Sequence, residues 1–125
     1  MALTERYCSA SGAGSHNGTS EANAWTWTEA VTNAVAGERV NVKGTHTLTA
    51  SSTISVAATT TAPFIWRGYT TTIGDGGKAQ LNFNDDYGLT LSGNGITWDG
   101  INVDCSLNGI PMNNTGEQQL VLRSY

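Results

Sequence analysis

Val40-Asn-Val42, Phe64-Ile-Trp66, Ile96-Thr-Trp98 and Leu120-Val-Leu122 are four versions of one strand-like phrase that keeps returning along this chain of 125 residues. Trp66 follows Val42 by 24 residues, Trp98 follows Trp66 by 32, and Val121 or Leu122 continues the series after 23 or 24. A return period of this length is the mark of a solenoid. Each coil is then one supersecondary unit that buries its apolar side only by stacking on its neighbours.

Between the phrases the alternation stays at period two. Val40 and Val42 are followed by His46 and Leu48, and then by the short run Thr53-Ile-Ser-Val56, which makes a first coil of three faces. Pro63 to Tyr69 opens a second coil, with Gln80-Leu-Asn-Phe83 and Leu89-Thr-Leu91 as its other strands. The glycine-rich Ile73-Gly-Asp-Gly-Gly77 reads as a turn inserted in that coil and accounts for the longer interval. Gly95 to Asp104 opens a third coil, and Gln119 to Tyr125 a fourth.

Ahead of the coils the organisation differs. Glu5 to Ala10 reads as a short strand and Ser11 to Ser20 as a loop rich in Gly, Ser and Asn. Trp27, Ala30, Val31, Ala34 and Val35 then fall on one helical stripe. Thr26 with Glu29 three residues later forms a capping box, and Gly37 stands where a C-terminal cap belongs. A helix here covers the first coil, whose unpaired edges and apolar cross-section would otherwise invite aggregation. The division expected is residues 1–38 as strand, loop and capping helix, and residues 39–125 as β-helix coils.

Charged residues are only 13% of the chain and the net charge is −4. Arg6, Arg39, Lys43, Arg67, Lys78 and Arg123 are scattered singly, so no basic patch exists for a phosphate backbone and nucleic acid is excluded as an expected partner. No run is long enough to span a bilayer as a helix, and no membrane partner is expected. The first residues, Met-Ala-Leu-Thr-Glu-Arg-Tyr, lack the basic and apolar regions of a secretory signal, so synthesis in a cytoplasm is expected. Cys8 and Cys105 are read as two small buried thiols rather than a bridge. The last phrase is an apolar strand with nothing after it to cover it. Two expectations stay open there: a longer protein of which this is the N-terminal piece, or copies that associate over the exposed edge.

Trp25-Thr-Trp27, the helix to Ala34, the run Ala36-Gly-Glu-Arg-Val-Asn-Val-Lys-Gly44, Pro63-Phe-Ile-Trp-Arg-Gly-Tyr69 and Ile101-Asn-Val-Asp104 together resemble the start of right-handed parallel β-helix proteins of the pectate-lyase-like superfamily. The resemblance covers about residues 5–125. It implies an all-β, right-handed parallel β-helix of three to four coils with an N-terminal capping α-helix. In style it is closest to phage tailspike, fibre and appendage proteins. The function it implies is a non-catalytic structural and attachment module of a virion appendage or capsid decoration protein, homotrimeric, partnered by other virion proteins and by host-surface glycans, and located on the virion after assembly. Two alternatives are carried: the first coils of a polysaccharide lyase or glycoside hydrolase, and a bacterial surface adhesin.

Lyases of that superfamily use carboxylate-bound Ca²⁺ and a basic residue, and hydrolases use a carboxylate pair. Asp85 and Asp86 are adjacent and read as a turn between strands. Asp99 and Asp104 read as outward residues of a half-buried strand, with a Ca²⁺ or sugar contact as the functional alternative. No Arg or Lys stands inside that phrase to act as a base. His16 and His46 match no metal motif, so no metal or other cofactor and no catalytic residue is expected. Trp27, Trp66 and Trp98 are in phase with apolar neighbours and read as core, whereas Trp25, Tyr69 and Tyr87 lie at element ends and are the aromatic candidates for a surface contact.

Overall fold

Alternation at period two gives the chain its strands, and the computed structural model, which describes residues 2–84, 87–105, 112–114 and 121–123, shows how they pair. The elements are β1 (Thr4–Ser9), α1 (Trp27–Asn33), β2 (Glu38–Lys43), β3 (Thr45–Leu48), β4 (Ser52–Ile54), β5 (Phe64–Tyr69), β6 (Ala79–Phe83), β7 (Leu89–Leu91), β8 (Ile96–Asp99), β9 (Ile101–Cys105), β10 (Met112–Asn114) and β11 (Val121–Arg123), with a single 3-10 turn at Glu21–Asn23. The architecture is sheet-rich, and every pairing of these strands is parallel.

The strands enter three sheets in rotation. The first has the order β1-β2-β5-β8-β11, the second β3-β6-β9 and the third β10-β7-β4. From β2 onward each strand therefore leaves for the next sheet, and every third strand returns beside its predecessor. The returning phrases meet in register: Val40 opposes Trp66, which opposes Trp98. His46 opposes Leu81, which opposes Val103, and Ile54 opposes Leu91. These inward rows form one core, with Trp66 stacked on Trp98 at 6.3 Å and tilted at 56° against Trp27 at 5.1 Å. Aromatic pairs at such separations add about 0.5–1.5 kcal/mol each beyond their buried area.

The helix begins as its capping box requires. The Thr26 hydroxyl accepts the Glu29 amide at 3.3 Å, and the Glu29 carboxylate accepts the Thr26 amide at 2.8 Å. Trp27, Ala30 and Ala34 are buried, and the Trp27 indole donates to the Ser52 hydroxyl of β4 at 2.8 Å. The C-terminal end departs from expectation. Asn33 is the last helical residue and Ala34 is already extended, so Gly37 does not cap the helix. Gly37 instead turns the chain into β2, donating to the Pro63 carbonyl and accepting from the Thr4 amide. Val35, past the helix end, leaves the expected apolar stripe and is 54% exposed.

β1 is the edge of the first sheet, and it is sealed. The Tyr7 and Ser9 amides donate to the carbonyls of Gly18 and Trp25, and the Trp25 amide donates to the Tyr7 carbonyl. Side chains add two cross-strand ion pairs, Arg6 with Glu38 and Arg39 with Glu5. The outward backbone groups of Tyr7 and Ser9, which could template another strand, are thus occupied within the chain. Among the described residues no helix is long and apolar enough to cross a membrane.

Candidate functional site

Strand β5 puts Phe64, Trp66 and Gly68 toward the core, so Arg67 faces outward on the first sheet. Its register neighbours make a polar row across that face: Tyr7 opposes Asn41, Asn41 opposes Arg67, and Arg67 opposes Asp99. Adjacent members of such a row stand about 4.8 Å apart along the sheet, the spacing of neighbouring strands. An Arg67 Nη donates to the Asn41 side-chain oxygen at 3.2 Å, and the Asn41 amide donates to the Glu5 carboxylate at 2.6 Å. The Arg67 Nε is buried and has no hydrogen-bond partner among the described residues.

The loop after β5 rises beside this row. The Asp75 carboxylate holds it together by accepting the amides of Thr71 at 2.8 Å, Thr72 at 3.0 Å, Gly77 at 2.8 Å and Thr70 at 3.3 Å. Those backbone donors keep the carboxyl far below its ordinary range, so the loop is anchored at any physiological pH. Beneath the loop the chain passes so close to β8 and β9 that a Cβ on Gly68 would collide with the Gly100 carbonyl oxygen. Only glycine allows that approach.

Two clefts flank the loop. One, of about 180 Å3, is lined by Gly68 and Gly100, by Gly74, Gly76 and Gly77 of the loop, and by Arg67 and Asp99 as its charged groups. The other, of about 300 Å3, lies between Tyr7, Ser20 and Glu21 on one side and Thr71, Thr72 and Ile73 on the other. Both open on the outer face of the same sheet. The arrangement can hydrogen-bond a hydroxyl-rich chain at two places, with an aromatic ring at one and an Arg/Asp pair at the other.

The sequence candidates are distributed unevenly around these clefts. Asp99 lines the smaller one. Asp104 is exposed on β9, in the second sheet and opposite Asn82, so Asp99 and Asp104 do not share a face. Trp25 is 6% exposed, packed over Gly18 with the Arg6 guanidinium 5.5 Å from its ring centroid. Tyr69 is 1% exposed; its hydroxyl donates to Glu21 at 2.7 Å and the Lys43 ammonium lies 5.5 Å from its ring. Burial, with Glu21 beside it, pushes the Tyr69 hydroxyl above its ordinary value. The N-terminal segment covers both rings, so neither Trp25 nor Tyr69 offers a face to a ligand. Tyr87 is 38% exposed and away from the clefts' linings. Asp85 and Asp86 lie outside the described residues.

His16 bonds the Glu29 carboxylate at 2.9 Å and His46 is in the core, so the two imidazoles are not brought together. No group of three potential metal ligands occurs among the described residues. Cys8 is a buried free thiol, pushed well above its ordinary value by burial.

Arg67 and Tyr7 were not singled out from the sequence. A signal for Arg67 existed: Trp66-Arg67 and Trp98-Asp99 occupy the same place in the returning phrase, so stacking the phrases puts guanidinium beside carboxylate. Asp99 has no basic neighbour along its own strand, whereas parallel pairing sets Arg67 opposite it on the next. The chain matches no protein-family profile, no curated protein and no solved structure.

Proposed function

We propose that this chain is a structural and attachment module, a segment of a right-handed parallel β-helix that serves a virion appendage or decoration protein and grips surface glycans along the outer face of its first sheet. The observation that carries the reading is the rotation of strands through three parallel sheets, which leaves one five-stranded outer face bearing two clefts on either side of an anchored loop. A parallel ladder with stacked tryptophans is stiff, as an appendage requires. The right hand follows from the general preference of parallel crossovers. Polar, weakly charged walls suit hydroxyl-rich ligands. In this reading the protein is a trimer seated on other virion proteins, outside the cell after assembly.

The juxtaposition of Arg67 and Asp99 favours one second reading, the first coils of a polysaccharide lyase or hydrolase. One experiment addresses both. The chain is passed over a panel of immobilised bacterial polysaccharides, with Arg67→Ala and Tyr7→Ala beside it, and the polysaccharides are assayed for cleavage. Retention lost in both variants, without cleavage, is expected; cleavage abolished by Arg67→Ala would move the assignment to the enzyme. No retention on any polysaccharide, or retention indifferent to both substitutions, would sink the attachment reading. Light scattering reports the trimer as a solution mass about threefold that of the chain, and a monomer would refute it.

A further inference from the structure

We propose that His46 is an acid-sensitive latch that holds α1 over the terminal strands of the second and third sheets, and that protonating its ring lifts the helix and uncovers the tryptophan stack. His46 is 2% exposed and lies on β3, facing the core opposite Leu81. Its ring stands edge-on to Trp27, the first residue of α1, with centroids 6.1 Å apart. The same indole is bonded to Ser52 of β4 and packs at a tilt against Trp66, so His46 supports the residue by which α1 holds the core.

The hydrogen bonding selects the neutral ring. Nε2 lies 3.1 Å from the Lys43 carbonyl oxygen, to which it donates, and this leaves Nδ1 as the bare lone pair. That nitrogen is buried without a hydrogen-bond partner among the described residues. A proton there would place a charge and an unsatisfied donor in an apolar site, which the closed structure resists. Beyond the Lys43 carbonyl, no carboxylate among the described residues is free to stabilise the imidazolium. On α1 the Glu29 carboxylate is taken by His16 and the Thr26 amide, and on β2 the Glu38 carboxylate is taken by Arg6 and the Val35 amide. The Lys43 ammonium lies beside Tyr69 and Glu21, while β6 and β9 present Leu81 and Val103 in this row. Burial accordingly holds the imidazole below the ordinary histidine value of 6.5, outweighing the bond to the Lys43 carbonyl.

A group whose closed-state affinity for protons is depressed binds them first in the open state. The closed helix is therefore fully favoured above the ordinary value and loses ground as pH falls below it, with the opening constant rising by up to about tenfold per pH unit until the closed state also protonates. The test uses the whole chain. Amide exchange of residues 27–33, corrected for its intrinsic pH dependence, and the imidazole resonances are followed together from about pH 7.5 to about 4.5. Protection of α1 is expected to fall with the same midpoint as His46 protonation. His16→Ala should keep that behaviour, and His46→Phe, which retains a ring against Trp27, should abolish it. A His46 that titrates at the ordinary value with α1 still protected, or the same pH dependence in His46→Phe, would overturn the latch. Should His46→Phe fail to fold, the unaltered chain still decides, because separate midpoints for the ring and the helix refute the proposal.

Discussion

Trp27, Trp66 and Trp98 meet in the core, but their indole nitrogens differ, and replacing each by phenylalanine should separate them. Trp98 donates to the Ile101 carbonyl at 3.0 Å and Trp27 to Ser52 at 2.8 Å, whereas the Trp66 nitrogen is buried with no partner among the described residues. Trp→Phe removes roughly 40 Å3 of side chain, which at about 24 cal/mol per Å3 of unfilled cavity costs about 1 kcal/mol. At Trp98 the lost hydrogen bond adds about 1 kcal/mol, for a total of about 2. At Trp66 the substitution instead relieves an unsatisfied donor, whose burial costs about 1–3 kcal/mol, so the net change lies between neutral and stabilising. The two variants should therefore differ by about 2 kcal/mol or more, the same cavity term cancelling between them. Urea unfolding followed by far-ultraviolet circular dichroism measures this directly. With a slope of about 1–3 kcal/mol per molar urea, the midpoints should separate by about 1 M. Equal costs for Trp66→Phe and Trp98→Phe, within about 0.5 kcal/mol, would refute the reasoning that the Trp66 nitrogen is an unpaid burial.

Other substitutions probe the cap, the loop and the edge strand. Thr26→Ala removes the hydroxyl half of the capping box and should cost about 0.5–2 kcal/mol in thermal or chemical unfolding. Gly68→Ala forces a Cβ against the Gly100 carbonyl and should destabilise by about 1–3 kcal/mol, read as a lowered melting temperature. Asp75→Ala deprives four backbone amides of their acceptor and should make the Thr70–Gly77 loop the first site of limited proteolysis, with the rest of the fold intact. Glu5 is partly buried, which raises its affinity for protons, but bonds from Arg39 and Asn41 outweigh this and its carboxyl titrates below the ordinary 4.5. The stability it contributes is thus complete above that value and is lost as pH falls through the folded one, so Glu5→Gln should flatten the acid limb of a stability profile.

Much of the strand pattern was readable in advance because alternation is a local property. The inward positions Val40, Val42, Trp66, Leu81, Phe83, Leu89, Leu91 and Trp98 follow from period two, and all are buried. The capping box of α1 was equally local, since Thr26 and Glu29 meet within one turn. The helix end was not, because Gly37 is claimed by Thr4 and Pro63, residues far away in sequence. Trp25 and Tyr69 were misjudged for the same reason: both sit at element ends, and both are covered by a segment whose path no local pattern describes.

The returning phrases thus prescribe strands, their inward residues and the rows in which those residues stack, because side-chain alternation and a repeated interval are properties of the chain itself. Which outward residues meet depends on pairing. Arg67 and Asp99 are 32 positions apart in sequence and neighbours across one ladder, and the clefts exist because a carboxylate-anchored loop and the N-terminal turn come to rest against that ladder. Burial of His46 beneath Trp27 has the same origin. Polar groups acquire their roles from neighbours supplied by other strands, and those neighbours are set by register and covering segments rather than by any interval along the chain.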